Sequence, residues 1–108
     1  MFEHLNSILP VNRLYETSLL LAFYHPKPVY PIHILIVPKK AIRDLARLAD
    51  QPDLYRSELM EDVLRCVREM VFRMNLEKLG YRLIVNGGSY QEVGELHFHL
   101  VSGEHSPK

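Results

Sequence analysis

Two histidines separated by a single residue, His97 and His99, are the part of this sequence best equipped for chemistry. They lie in Gly94-Glu95-Leu96-His97-Phe98-His99-Leu100-Val101-Ser102-Gly103, a stretch of strict alternation. On a strand, Leu96, Phe98 and Leu100 share one face, and Glu95, His97, His99 and Val101 share the other. Neighbours on one face stand about 6.5–7 Å apart. A carboxyl and two imidazoles in a row admit three readings. Glu95, His97 and His99, with His33 from elsewhere in the chain, have the donor types of a transition-metal site. Alternatively, a neutral imidazole nitrogen attacks phosphorus and forms a covalent intermediate. That chemistry needs a hydrogen bond on the other ring nitrogen to fix the tautomer, and donors for the phosphoryl oxygens. His97 would then be the nucleophile and His99 the donor, with Ser89 and the Asn86-Gly87-Gly88 amides as a phosphate cradle. The third reading is inert, a small scaffold with two surface histidines.

The elements that must position these residues can be read from pattern. Residues 1–9 suggest a short helix ended by Pro10. Leu14-Tyr15-Glu16 reads as a strand, Thr17-Ser18 as a turn, and residues 19–24 as a buried strand. Three prolines between His25 and Pro31 predict a stiff loop poor in backbone donors. The β-branched, apolar run 32–37 predicts a central strand closed by Pro38, with His33 its one polar position. Residues 42–49 carry apolar side chains at helical spacing. Asp50-Gln51-Pro52-Asp53 is a helix start signal, and from there a long helix is expected to about residue 78. Its apolar stripe is Met60, Val63, Leu64, Val67, Met70, Val71 and Met74. Cys66 reads as a packing residue. Gly80 stops the helix, residues 81–85 form the next strand, and Asn86-Gly87-Gly88-Ser89 turns the chain. Strands, one long helix and further strands without regular alternation predict an α+β fold with a mostly antiparallel sheet.

Composition bounds the partners. The 108 residues suggest one domain over 1–108. Thirteen basic and thirteen acidic side chains cancel, which argues against a broad electrostatic surface for polymeric nucleic acid or an anionic membrane. A single nucleotide needs only a local pocket. One cysteine excludes an internal disulfide. The start Met1-Phe2-Glu3-His4-Leu5 has no basic region before an apolar one, so the expected compartment is the cytoplasm. No apolar run is long enough to span a membrane.

His97, His99 and Glu104 also fit the His-x-His-x4-Glu spacing of a cupin metal motif. The glycine that should precede it is Gln91, however, and a long helix stands where a jelly roll needs short strands. The sequence instead resembles the histidine triad superfamily, in particular its small nucleotide-binding branch. That family carries His-φ-His-φ-His-φ-φ, with φ apolar, and this chain has Glu95-Leu96-His97-Phe98-His99-Leu100-Val101. Leu14-Tyr15-Glu16, Leu21-Ala22-Phe23, Pro31-Ile32-His33-Ile34-Leu35-Ile36-Val37-Pro38-Lys39-Lys40 and Gly80-Tyr81-Arg82-Leu83-Ile84-Val85-Asn86 are similar to the family's segments, in order. The resemblance covers residues 13–103.

The resemblance implies a five-stranded antiparallel sheet with one long and one short helix, continued across a homodimer. It implies a hydrolase or nucleotidyl transferase acting on a nucleoside phosphoramidate or phosphoanhydride, without cofactor or metal, through a nucleotidyl-His97 intermediate. His99 would contact the scissile phosphate, and Glu95 takes the place of the first histidine. Substrate contacts are expected from Asn86, Ser89, Gln91, Leu21, Phe23 and His33. The alternative is an inactive small-molecule binder that keeps the fold. The ribose-contacting aspartate of the family falls on His25, and its histidine after Pro-Lys-Lys falls on Ala41. The carbonyl of residue 95 is expected to accept from the His97 ring. The Glu95 carboxylate is expected to pair with His33, which would raise the pKa of His33 and lower its own.

Overall fold

A computed structural model describes residues 12–107, and the helix expected over residues 1–9 lies outside them. In chain order the elements are β1 (Arg13–Glu16), β2 (Leu20–Tyr24), β3 (Ile32–Pro38), α1 (Leu45–Leu48), α2 (Asp53–Arg73), α3 (Leu76–Leu79), β4 (Arg82–Ile84) and β5 (Phe98–Ser102). A 3₁₀ turn, Gly88–Tyr90, stands between β4 and β5. The five strands form one sheet in the order β1-β2-β3-β5-β4, and every neighbouring pair is antiparallel. This is the α+β architecture expected, with one long helix beside the sheet.

The continuous apolar run of β3 is explained by burial on both faces. Ile34 and Ile36 join Leu20, Ala22, Phe98 and Leu100 in the core shared with α2. Leu35 and Val37 alternate to the opposite face and cluster with Leu21 and Phe23. Each fully buried Leu or Ile contributes about 1.5–3 kcal/mol, so the sheet centre is held from both sides.

Local chemistry sets the element ends. Thr17 Oγ1 accepts from the N–H groups of Leu19 and Leu20 and donates to Asp62 on α2 at 2.6 Å, closing the β1–β2 turn. The short helix is tighter than residues 42–49. Asp44 caps it by accepting from Arg47 N–H at 2.8 Å, which leaves Ile42 outside as a buried residue. The long helix does not run unbroken to residue 78. Asn75 takes a left-handed conformation (φ 57°), which Asn tolerates better than most residues. The break turns Leu76 fully into the core.

The apolar stripe expected on α2 holds at Val63, Met70 and Val71, which are buried, and at Val67 and Met74, which pack partly buried against the core. Leu59, Val63, Cys66, Met70 and Val71 are buried, whereas Leu64 is 62% exposed and Met60 is also exposed. The covered face extends to Leu59 and Cys66, which leaves Met60 and Leu64 at its exposed edge.

The His strand is shorter than residues 94–103. Its ladder with β3 starts at the pair Ile36–Phe98. Two residues further, the partner of Leu96 would be Pro38, which has no N–H to give. Leu96 N–H donates instead to the Ile42 carbonyl at 2.6 Å. The alternation persists through this irregular start, since Leu96, Phe98 and Leu100 are all buried in the core with α2. Strand β4, expected over 81–85, is an edge strand of three residues with Leu83 exposed.

Candidate active site

The face of the sheet opposite α2 gathers the histidines. Alternation along β2 puts Leu21, Phe23 and then His25 on it. His25 N–H donates to the His33 carbonyl at 2.9 Å, which extends the β2–β3 register by one pair. On β3 the same face carries His33, Leu35 and Val37. The pairs Leu35–His99 and His33–Val101 bring in β5. His33 and His97 are buried, at 4% and 8% exposure, and His99 is half-buried. Leu21, Phe23, Leu35 and Val37 form an apolar patch between these groups.

The hydrogen bonds fix which nitrogen of each ring holds its proton. His97 Nδ1 lies 2.8 Å from the Glu95 carbonyl oxygen. A carbonyl only accepts, so Nδ1 donates, and in the neutral ring Nε2 bears the lone pair. At the other ring the polarity is reversed. Val29 N–H donates to His33 Nδ1 at 3.1 Å. The proton of neutral His33 therefore sits on Nε2, which lies 2.9 Å from His99 Nδ1. His99 Nδ1 accepts from it, and His99 keeps its own proton on Nε2. The His97 and His99 rings have centroids 4.9 Å apart. A lone-pair nitrogen and an N–H donor thus belong to adjacent rings.

Burial and neighbouring rings hold His33 and His99 neutral. Burial, followed by the neighbouring His25, His99 and His105, lowers the pKa of His33 from 6.5 to about 4. Burial, then His97 and His25, lowers His99 to about 4. His25 is also pushed down, by burial and then by His97, with Glu92 opposing. Near neutral pH these rings are therefore uncharged, as the tautomer assignment requires.

The expected His33–Glu95 pair is not what forms. Both nitrogens of His33 are committed, to Val29 N–H and to His99. The pKa of His33 moves down rather than up, because its partners are imidazoles in a buried layer and not a carboxylate. The expected Glu95 carbonyl bond to His97 is present, and it uses the backbone of residue 95 alone.

The remaining predicted residues fall unevenly. Leu21 and Phe23 are in the apolar patch beside the histidines. Asn86 is half-buried two residues beyond Ile84, the partner of His99. Ser89 sits on the exposed 3₁₀ turn. Gln91 braces the approach to β5, its amide nitrogen donating to the carbonyls of Arg43 and Val93 at 2.8 and 2.9 Å. His25 was absent from the predicted set, yet its ring centroid is 4.4 Å from that of His33 and 6.2 Å from that of His99. Continuing the 21, 23, 25 alternation past the end of β2 is the signal that finds it. Among the described residues, no group of three or more His, Cys, Asp or Glu side chains is placed to hold a metal ion.

An antiparallel five-stranded sheet that presents a His-x-His pair with opposed tautomers defines a histidine-motif α+β protein. The chain belongs to the HIT domain family, whose sequence pattern matches residues 7–106. It is 32% identical over 98 residues to an uncharacterized HIT-like protein of Helicobacter pylori (strain ATCC 700392 / 26695), covering 89% of this chain and 88% of that one. A HIT family hydrolase from Legionella pneumophila Philadelphia 1 superposes with a TM-score of 0.81 at 32% identity, covering 97% of this chain and 93% of the other. A histidine triad nucleotide-binding protein from Candida albicans superposes with a TM-score of 0.78 at 26% identity, covering 95% and 74%.

Proposed function

We propose that the protein is a nucleotide-binding hydrolase or nucleotidyl transferase, acting on a nucleoside phosphoramidate or phosphoanhydride through a nucleotidyl-His97 intermediate. The observation that carries this reading is the opposed tautomers of the two rings. His97 Nε2 attacks phosphorus with its lone pair, forming a P–N bond. The leaving group departs with the electrons of the bond it held to phosphorus, and an amine leaving group takes up a proton. His99 Nε2–H donates to a phosphoryl oxygen as negative charge builds there. Water then attacks the same phosphorus and loses its proton to solvent. The P–N bond breaks and its electrons return to Nε2. The apolar patch of Leu21 and Phe23 suits the flat face of a base. The family membership and the names of the Legionella and Candida neighbours support the same reading.

The test is turnover of a nucleoside 5′-phosphoramidate by the intact chain. His97→Ala abolishes it, and added imidazole restores part of it to His97→Gly. His99→Ala lowers kcat about 10²–10³-fold, the loss expected for one oxyanion donor. Wild-type rates in both alanine variants would make the motif a scaffold and the protein at most a binder.

The reading includes a homodimer. Leu64 and Phe72 on α2, Leu79 at the end of α3, and Tyr81 and Leu83 around the edge strand β4 are all exposed. A second copy related by a twofold axis would cover these side chains and pair the open edge.

A further inference from the structure

The loop between β2 and β3 donates to His25 and His33, and through His33 it bears on the tautomer of His99. Prolines at 26, 28 and 31 remove three of its N–H groups. Of those that remain, Lys27 N–H donates to His25 Nδ1 at 2.9 Å and Val29 N–H donates to His33 Nδ1 at 3.1 Å. The proline-rich stretch thus spends two of its few donors on imidazoles. A loop exposed over most of its length needs something outside it to keep those amides aimed.

The chain after β5 supplies that contact. Gly103 turns with φ 90°, and a Cβ there would stand 2.6 Å from the Pro31 ring. The turn therefore requires both the left-handed conformation and the absence of a side chain. His105 then meets the edge of Tyr30, with ring centroids 5.1 Å apart, and Tyr30 meets His33 at 5.3 Å. Ser106 N–H closes the contact by donating to the Val29 carbonyl at 2.6 Å.

We propose that residues 103–106 are a positioning clasp for the reaction centre, with the Ser106 N–H as its closing bond. By holding Val29 through its carbonyl, the clasp keeps the Val29 N–H on His33 Nδ1. His33 Nε2–H then stays on His99 Nδ1, and His99 presents Nε2–H to the substrate. The groups facing His33 are His25, His99, Tyr30 and His105, and none of them is a carboxylate that would reverse the order. The catalytic part rests on the nucleotidyl-transfer reading, whereas the tautomer part stands without it.

Ser106→Ala keeps the backbone donor and Ser106→Pro removes it. Gly103→Ala displaces the clasp by another route and leaves every loop N–H in place. Long-range proton–nitrogen NMR on histidine-labelled protein reads the His33 and His99 tautomers directly, and circular dichroism checks the fold. The expected result is one tautomer for each ring in wild type and Ser106→Ala, and mixed tautomers in Ser106→Pro and Gly103→Ala. With an active wild type, the two disrupting variants also lose about 10- to 100-fold in kcat through misplacement of the donor, while KM changes less than threefold. Should Ser106→Pro fail to fold, Gly103→Ala decides alone. Unchanged tautomers in the disrupting variants overturn the clasp, whatever the rates. Mixed tautomers in a chain whose wild type has no turnover support the clasp and overturn the nucleotidyl-transfer reading instead.

Discussion

At the scale of single residues, the candidate site gives two similar side chains opposite polarity. A backbone carbonyl sets His97 as a lone-pair nitrogen, and a backbone amide acting through His33 sets His99 as a donor. Glu95 takes part through its carbonyl, which no side-chain substitution removes. Glu95→Ala keeps that carbonyl, so His97 is expected to keep its proton on Nδ1, as read by the same NMR experiment. The buried neutral histidines also make stability depend on pH. Their pKa values fall from 6.5 in the unfolded chain to about 4 in the folded one. Between these values the unfolded chain binds more protons, so stability declines as pH falls from about 6.5 to about 4. Denaturant midpoints across that window should fall with pH in wild type and fall less in a His33→Asn variant. Of this layer, the sequence showed His97 and His99 through their types and spacing, and set His33 beside them only through the family resemblance. It did not show the His33–His99 bond, because cross-strand register joins positions 66 residues apart.

At the scale of elements, the period of two in β5 and the apolar run of β3 were legible because each is fixed by the strand's own geometry. Most of the α2 face was legible as well, and only its edge moved, because the partner sheet selects which side of a broad apolar stripe is covered. Leu59 and Cys66 join Val63, Met70 and Val71 inside, and Met60 and Leu64 are left outside. Leu59→Ala should cost about 2–5 kcal/mol, as for a fully buried leucine, measured by urea unfolding. The shortened ladder of β5 follows from Pro38, whose consequence for a strand some sixty residues later becomes visible only once β3 and β5 are paired. The His25–Pro31 loop is donor-poor because three of its residues are prolines. That two of its remaining donors, Lys27 and Val29 N–H, serve imidazoles depends on where β2 ends.

At the scale of the whole molecule, one sheet separates two tasks. The face toward α2 carries most of the apolar core, and the opposite face carries the histidines over a smaller apolar patch. In the proposed reaction, His97 and His99 would draw on the rigidity of the sheet, which suits chemistry that tolerates little displacement of a nucleophile. In the proposed homodimer, a second copy would cover the exposed apolar side chains of α2 and pair the β4 edge. Light scattering should give twice 12.6 kDa for the wild type. Leu64→Asp should give 12.6 kDa with little loss of monomer stability, because Leu64 is already 62% exposed.

A covalent nucleotidyl-His97 means two successive displacements at one phosphorus, each inverting it. The most direct measurement is the stereochemical course of hydrolysis of a chiral nucleoside phosphorothioamidate in oxygen-18 water, read by phosphorus NMR. Two displacements predict net retention at phosphorus. Net inversion would mean that water attacks in a single step, and would contradict His97 as the nucleophile.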